Sequence, residues 1–351
     1  MQHKKLLVIG GLPNREKKLG YGGATVLMQN FVDYLHSRAV NFKFIQTNKY
    51  FRQDGKPNGL LNKVYFLLRF IFLLPWCDVV MFNFSDHATV TMYPKLVKVA
   101  KILRKIVVFR KFGGSLDIYL SAKSDNVRYK TFKAIDMADL VLLETQHSID
   151  FISQFVSPKK IIRFPNVRNK SDLSSDHIYK KEFVFISHIL DEKGVGDILE
   201  VARELPKDYK ISFFGPIMEK KYQNFDWESY NVKYGGVLNS DEVLKCLSRA
   251  NILLLTSYRE GQPGIIIEAM SVGVPCISTA VGGIPEMVVD GYNGILIAPG
   301  DKRALLDAII SFNQEKYKIL RINALKVFEQ EFEAENTNKR ILNEISRLSL
   351  C

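Results

Sequence analysis

The chain lacks the signatures of several large enzyme classes. It has no HExxH helix, no Walker A loop and no GxSxG elbow, which argues against a zinc hydrolase, a P-loop nucleotidase and an α/β-hydrolase. No DxD pair is present, so a metal-chelated ligand is not suggested and no metal site is expected. The four cysteines, Cys77, Cys246, Cys276 and Cys351, form neither a CxxC pair nor a Cys/His metal spacing. They read as ordinary thiols of a reducing compartment, not as a disulfide scaffold. No segment repeats and none is of low complexity, which excludes solenoids. Long apolar runs are also missing. MQHKKLLVIGGLP has only about six apolar residues before the charged NREKK, so it reads as a first strand, not a secretory leader. Leu60–Leu74 is interrupted by Lys63 and Arg69 and stopped by Pro75, short of the roughly 20 residues a span needs. It is expected to be a helix that is either buried or laid on a membrane surface.

What is present is a chain of 351 residues, 47% hydrophobic and 25% charged, a folded composition of two-domain length. Short apolar runs such as Lys5–Ile9, Asp78–Phe84 and Ile106–Arg110 alternate with amphipathic stretches such as Ala24–Ser37 and Tyr93–Leu103. That alternation predicts parallel sheets covered by helices. It breaks in the polar FPNVRNKSDLSSDHIYKK near residue 164 and then resumes. The expected domains are 1–164 and 181–320, joined by a linker at 165–180, with a C-terminal helix at 321–351 that could return to the first domain. Charge divides the same way. Residues 1–170 hold 28 Lys+Arg and 11 Asp+Glu, a net +17, whereas residues 171–351 hold 21 and 26, a net −5. The basic half is expected to meet something anionic. Its aromatic and basic residues form no nucleic-acid motif, so an anionic membrane surface or a phosphorylated acceptor is the better partner.

Chemistry concentrates in residues 251–301. The apolar run Ile252–Leu255 enters Thr256-Ser257-Tyr258-Arg259, followed by Glu260, Gly261 and Pro263. Pro263 suits a helix's first turn, whose free N–H groups would meet an anion. Glu268 follows eight residues after Glu260. On one continuous helix the two would stand about 12 Å apart, but Gly261 and Pro263 break that helix and let both face one ligand. A carboxylate accepting from paired hydroxyls is the natural partner of a ribose or a sugar.

This stretch, NILLLTSYREGQPGIIIEAMSVGVPCISTAVGGIPEMVVDGYNGILIAPGD, resembles the donor-site signature of retaining glycosyltransferases of family four, as found in bacterial surface-polysaccharide synthesis. The matching residues are Glu260, Glu268, Ala269-Met270, Gly273-Val274-Pro275, Gly282-Gly283-Ile284-Pro285-Glu286, Asp290-Gly291 and Asn293-Gly294. Upstream, FVFISHILDEKGV keeps the family's Lys-Gly as Lys193-Gly194. Ser187 and His188 stand where the family has Gly and Arg. The resemblance implies a GT-B fold, α/β, with two Rossmann-like parallel-sheet domains facing across a cleft.

It also implies residue roles. Lys193 and His188 would grip the diphosphate, although a neutral His188 brings one hydrogen bond and no charge. Glu260 would orient the donor sugar and Glu268 would hold the ribose. Gly261 would bind the donor, the backbone of Gly264 and Ile265 would face phosphate, Gly236-Val237 would meet the base, and Gly22 and Gly23 would approach the phosphates from the first domain. His87 and the Lys111–Ser115 stretch, Gly113 included, are acceptor-side candidates. The expected reaction moves a sugar from a nucleoside diphosphate sugar, UDP-sugar favoured, to an acceptor hydroxyl with retention. It would proceed without metal or cofactor, in polysaccharide, lipopolysaccharide or glycolipid synthesis. The acceptor would be a saccharide or lipid-linked, and the location cytoplasmic, peripheral on the inner face of the plasma membrane. A nucleotide-sugar epimerase and a non-catalytic nucleotide-sugar-binding partner are the alternatives.

Overall fold

A computed structural model describes residues 4–12, 23–47, 52–53, 56–57, 59–113, 116–176 and 178–348. The chain forms two compact units, Met1–Asn166 with Ala334–Cys351, and Val167–Glu333.

The first unit holds a six-stranded parallel sheet. Its strands are β1 (Leu6–Gly10), β2 (Phe42–Gln46), β3 (Val79–Phe84), β4 (Ile106–Lys111), β5 (Leu140–Leu143) and β6 (Ile161–Arg163), in the order β2-β1-β3-β4-β5-β6. β1, β3, β4 and β5 are buried at every residue. A sheet covered on both faces requires such continuous apolar runs. Alternate side chains feed two cores. Leu7, Phe82 and Phe109 pack with Phe66 and Phe70 of α2 (Gly59–Leu73) and Leu96 and Val97 of α4 (Tyr93–Ile102), after the short α3 (Asp86–Thr91). Val8, Met81 and Val108 pack with Leu27, Phe31 and Leu35 of α1 (Gly23–Ser37) and with Ile341 and Ile345 near the C-terminus. α5 (Leu116–Ser121), α6 (Asp125–Asp136) and α7 (Gln146–Ser153) complete the connections. Helix α2 is both buried and exposed. Phe66, Phe70 and Leu73 face the core, while Leu60, Leu61, Val64, Leu67, Leu68, Ile71 and Phe72 face outward.

One buried charge stands apart. Arg110 lies in the core with its guanidinium 3.7 Å from the Phe164 ring centre, and none of its nitrogens has a hydrogen-bond partner. Burial lowers its pKa to about 10 against the pull of Glu144. It therefore remains a cation at neutral pH, held by aromatic faces.

The second unit holds β7 (Glu182–Ile186), β8 (Lys210–Phe214), β9 (Val232–Tyr234), β10 (Ile252–Leu255), β11 (Cys276–Thr279) and β12 (Gly294–Ile297), all parallel, in the order β9-β8-β7-β10-β11-β12. Its helices are α8 (Val195–Glu204), α9 (Ser240–Arg249), α10 (Gly264–Ser271), α11 (Lys302–Ile310) and α12 (Gln314–Val327). The direction of winding reverses between β7 and β10. In open sheets of this kind ligands bind outside the carboxyl ends of strands at that reversal.

Each unit is thus a Rossmann-like parallel-sheet domain, the α/β architecture expected from the sequence. The chain divides between Asn166 and Val167 and again between Glu333 and Ala334, within the expected linker and well inside the expected C-terminal segment. The polar stretch after Val167 is fastened to the second unit. Ser175 donates to the Gly273 carbonyl at 2.8 Å and accepts from Arg321 at 3.0 Å, and the Tyr317 hydroxyl donates to the Asp176 carbonyl at 2.7 Å. Residues 321–333 stay with that unit, and the first unit takes only α13 (Ala334–Arg347) and the residues after it.

Candidate functional site

In the second unit, the turns after β7 and β10 are laced together. After β7 the chain passes Ser187 and His188 and makes a short turn at Asp191–Lys193. Gly194 follows with φ +74°, and a Cβ there would overlap the Thr256 carbonyl. The Thr256 hydroxyl donates to the Gly194 carbonyl at 3.1 Å, and the Tyr258 amide donates to the Glu192 carbonyl at 2.9 Å. The Tyr258 hydroxyl donates to Asp197 at 2.8 Å, which holds its phenol above the usual range. Glycine at 194 is therefore required both by backbone angle and by the closeness of the neighbouring turn.

This lacing brings Lys193 Nζ to 2.6 Å from Glu260 Oε1. The same oxygen accepts from the Ser257 hydroxyl at 2.7 Å. The Gly282-Gly283 turn closes the far side. Gly282 has φ +56°, a Cβ on it would overlap the Glu260 carbonyl, and the Gly283 amide donates to the Gly261 carbonyl at 2.8 Å. The matched glycines thus hold the Glu260 turn in place.

Pro263 immediately precedes α10, one position before the helical turn in which it was expected, and Gly264 is the first helical residue. Glu268 lies one turn along, where its Oε1 accepts from Arg168 Nε at 2.7 Å. Arg168 is the site residue that sequence reasoning missed. It sits in the polar stretch read as linker, and its only sequence signal was its charge. Its guanidinium lies against the first turn of α10, where a Cβ at 264 would overlap it. Around this crevice Lys193 meets Glu260 and Arg168 meets Glu268.

The remaining candidates separate. His188 is exposed on the turn after β7, beside Gly215, whose φ of +135° lets the backbone pass against the Ser187 carbonyl. Gly236, with φ +85°, accepts from the Gly215 amide at 2.8 Å, which places Gly236 and the half-exposed Val237 at the end of β8. Asp290 and Asn293, matched in the sequence signature, knit their own turn. The Leu296 amide donates to Asp290 at 2.9 Å, and Asn293 accepts from Val289 and donates to the Met287 carbonyl.

In the first unit, Gly22 lies outside the described residues, as do Gly114 and Ser115 of the Lys111–Ser115 stretch, while Gly23 begins α1. His87 is exposed, with Nδ1 3.2 Å from the Tyr119 hydroxyl. Lys111 is only 1% exposed. Its ammonium is 2.7 Å from Asp86 and donates to the carbonyls of Phe112 and Gly113. Those partners make it a fastening of the β4 end rather than a surface cation. Gly113 has φ +78°, and its amide donates to Glu144 at 2.9 Å. A cavity of about 240 Å³ opens instead beside the ends of β1 and β3, lined by Gly11, Thr25, Thr47, Asn83 and Ser85 among others.

The described thiols are not nucleophiles at neutral pH. Burial pushes Cys276 up to about 12 and Cys77 and Cys246 up to about 11. Among the described residues no three His, Cys, Asp or Glu side chains gather as metal ligands. Nor is any helix there long and apolar enough to cross a membrane.

With this geometry in hand, residues 170–327 match the family described as Glycosyl transferases group 1. The match covers the second unit almost entirely and a little under half of the chain. An uncharacterized glycosyltransferase of Methanocaldococcus jannaschii is 26% identical over 223 residues, 62% of this chain and 62% of that protein. A putative colanic acid biosynthesis glycosyltransferase of Escherichia coli (strain K12) is 32% identical over 148 residues, 38% of this chain and 36% of that protein. The chain thus spans less than two thirds of the length of either relative. Among solved structures, Anabaena HepE in complex with UDP superposes with a TM-score of 0.74 at 16% identity, covering 98% of this chain and 100% of that one. That likeness is one of fold.

Proposed function

We propose that this chain, whose residues 170–327 carry the group 1 glycosyl transferase pattern, is a glycosyltransferase that moves a hexose from a nucleoside diphosphate sugar to an acceptor hydroxyl. The carrying observation is the Lys193–Glu260 pair, held by two laced turns at the winding reversal of the second sheet. The leaving group is a nucleoside diphosphate, so the barrier falls when fixed positive groups meet its growing charge. Lys193 and the first-turn amides of α10 are such groups, and they need no metal for that role. Each charge-assisted hydrogen bond is worth about 1.5–3 kcal/mol. Glu268 accepts from ribose hydroxyls, and Glu260 uses Oε2 for a hydroxyl of the donor sugar while Oε1 keeps Lys193 and Ser257.

Retention is our reading of the stereochemistry. Glu260 is occupied by a cation and a hydroxyl, a poor state for a nucleophile, and this favours attack by the acceptor from the face the leaving group vacates. The relative from Escherichia coli is named for colanic acid synthesis, and we take a polysaccharide, lipopolysaccharide or glycolipid acceptor as the class here. UDP-sugars are the first donors to try. The first unit carries 29 Lys+Arg against 13 Asp+Glu, a net +16, and the second 20 against 24, a net −4. With the outward apolar face of α2, this favours peripheral binding at an anionic membrane surface.

The test is a panel of nucleoside diphosphate sugars, scored by protection against thermal unfolding and then by transfer to lipid-linked and saccharide acceptors. A true donor at a hundred times its Kd stabilises by about 2.7 kcal/mol. The product should keep the donor's anomeric configuration, and EDTA should leave the rate unchanged. An epimerised donor without transfer, or protection by no member of the panel, overturns the reading.

A further inference from the structure

We propose that Arg168 is a diphosphate-contacting residue of the donor site, with Glu268 serving as its counterion only while the site is empty. The inference rests on the donor-site reading above and adds to it a cation that the sequence pattern did not supply.

Three observations carry it. First, the guanidinium lies against the opening turn of α10, and the absence of a side chain at Gly264 is what admits it there. Second, that position is unfavourable for a cation on its own. The helix N-terminus carries partial positive charge, and its unpaired amides attract anions. A guanidinium and a helix N-terminus sharing one place present a strong joint site for a phosphate, and Arg presents a planar fork that matches phosphate oxygens in pairs. Third, the carboxylate that balances Arg168 is Glu268, whose proposed task is to accept from ribose hydroxyls. Ribose and diphosphate are adjacent in a nucleotide, just as Glu268 and the α10 N-terminus are adjacent on the helix.

Binding is then an exchange of partners. Before the ligand arrives, Lys193 is paired with Glu260 and Arg168 with Glu268, and the four charges sum to zero. A nucleoside diphosphate brings two or more negative charges. Its phosphates take Arg168 and share Lys193 with Glu260, and its ribose hydroxyls satisfy the carboxylate that Arg168 releases. The arrangement also supplies a guanidinium to a site where His188 stands in the place of the family's Arg. The second cation for the diphosphate comes from the strand-end side of α10 instead of the turn after β7.

The experiment separates phosphate contact from support of Glu268. Affinities of UDP, GDP and ADP are measured for the full chain, and the tightest is compared with its own nucleoside. Arg168→Ala should weaken the diphosphate about tenfold to a hundredfold and change nucleoside affinity less than threefold. Arg168→Lys, which keeps the charge but loses the fork, should fall between wild type and Arg168→Ala. Unfolding midpoints without ligand report whether each variant is folded, and the Lys variant serves if the Ala variant is not. Equal losses for diphosphate and nucleoside would mean that Arg168 only positions Glu268, and this overturns the inference while the donor-site reading stands. Unchanged diphosphate affinity overturns it as well. Failure of wild type to bind any nucleoside diphosphate removes the donor-site reading itself.

Discussion

Glu260 and Glu268 are eight residues apart, yet each meets a different cation, Lys193 at 2.6 Å and Arg168 at 2.7 Å. Their substitution should therefore fail in different ways. Glu268→Ala removes the proposed ribose acceptor, so donor affinity should fall. Glu260→Ala removes the group proposed to orient the sugar while Lys193 remains to hold phosphate, so turnover should fall further than affinity. Initial rates and equilibrium donor binding for both variants check this, and full activity in both would remove the site assignment. The carboxylates were legible in the sequence because a spaced pattern flags them. So were Lys193 and the glycines, whose positive φ and close backbone approaches leave little choice of residue. Arg168 was not legible. Its partner lies a hundred residues away, and no local spacing encodes such a contact. Lys111 was legible as a charge after a strand, but its burial against Asp86 depends on α3, a six-residue helix too short to leave a periodic signal.

Elements tell a similar story at the next scale. The continuously apolar strands were readable because a sheet covered on both faces leaves no room for polar alternation. The polar stretch after residue 164 reads as a linker throughout, but only its start is one. Its serines and aspartates look solvated, but Ser175 and Asp176 are tied to Gly273, Arg321 and Tyr317, and a segment whose polarity is satisfied by hydrogen bonds cannot be told from a linker by composition. Helix α2 has one face in the core and one outward apolar face. Its sequence contains Lys63 and Arg69 and no acidic residue. Beyond its end, Trp76 lies under Lys43, whose ammonium is 4.4 Å from the ring centroid, and Trp is a residue enriched at membrane–water interfaces. Leu68→Glu combined with Phe72→Glu should therefore lower binding to anionic lipid vesicles by tenfold or more, since each large side chain contributes roughly 1.5–3 kcal/mol when buried. The unfolding midpoint should hold, because Phe72 is 81% exposed in the folded chain. Wild-type binding should weaken with added salt. Equal binding of wild type and the double variant would exclude α2 as the contact.

At the scale of the whole molecule, chain connectivity and function follow different divisions. The family match ends at residue 327, and every donor-site candidate of the second unit lies within Val167–Glu333. The last segment of the chain belongs to the first unit, where Ile341, Leu342 and Ile345 close the core formed with Leu27, Phe31 and Leu35. Burial of those three side chains is worth about 1.5–3 kcal/mol each, a sum comparable to the 5–15 kcal/mol that typically separates a folded domain from its unfolded state. Ending the chain after Glu333 should therefore unfold or sharply destabilise the first unit. The second unit would keep its two apolar cores, one around Phe185 and Leu254 and one around Leu253 and Ile267, its six strands, and the Lys193–Glu260 and Arg168–Glu268 pairs. The shortened protein is expected to show a lower melting transition for the first unit and a retained transition that a nucleoside diphosphate still raises, with sugar transfer abolished. A single cooperative melt with unchanged midpoint would show that α13 contributes little to the first unit. Loss of the ligand-raised transition would show that the second unit does not bind nucleotide on its own. If both transitions behave as expected, donor binding is a property of the 167–333 unit alone, and the C-terminal helix acts on transfer only through the unit it completes.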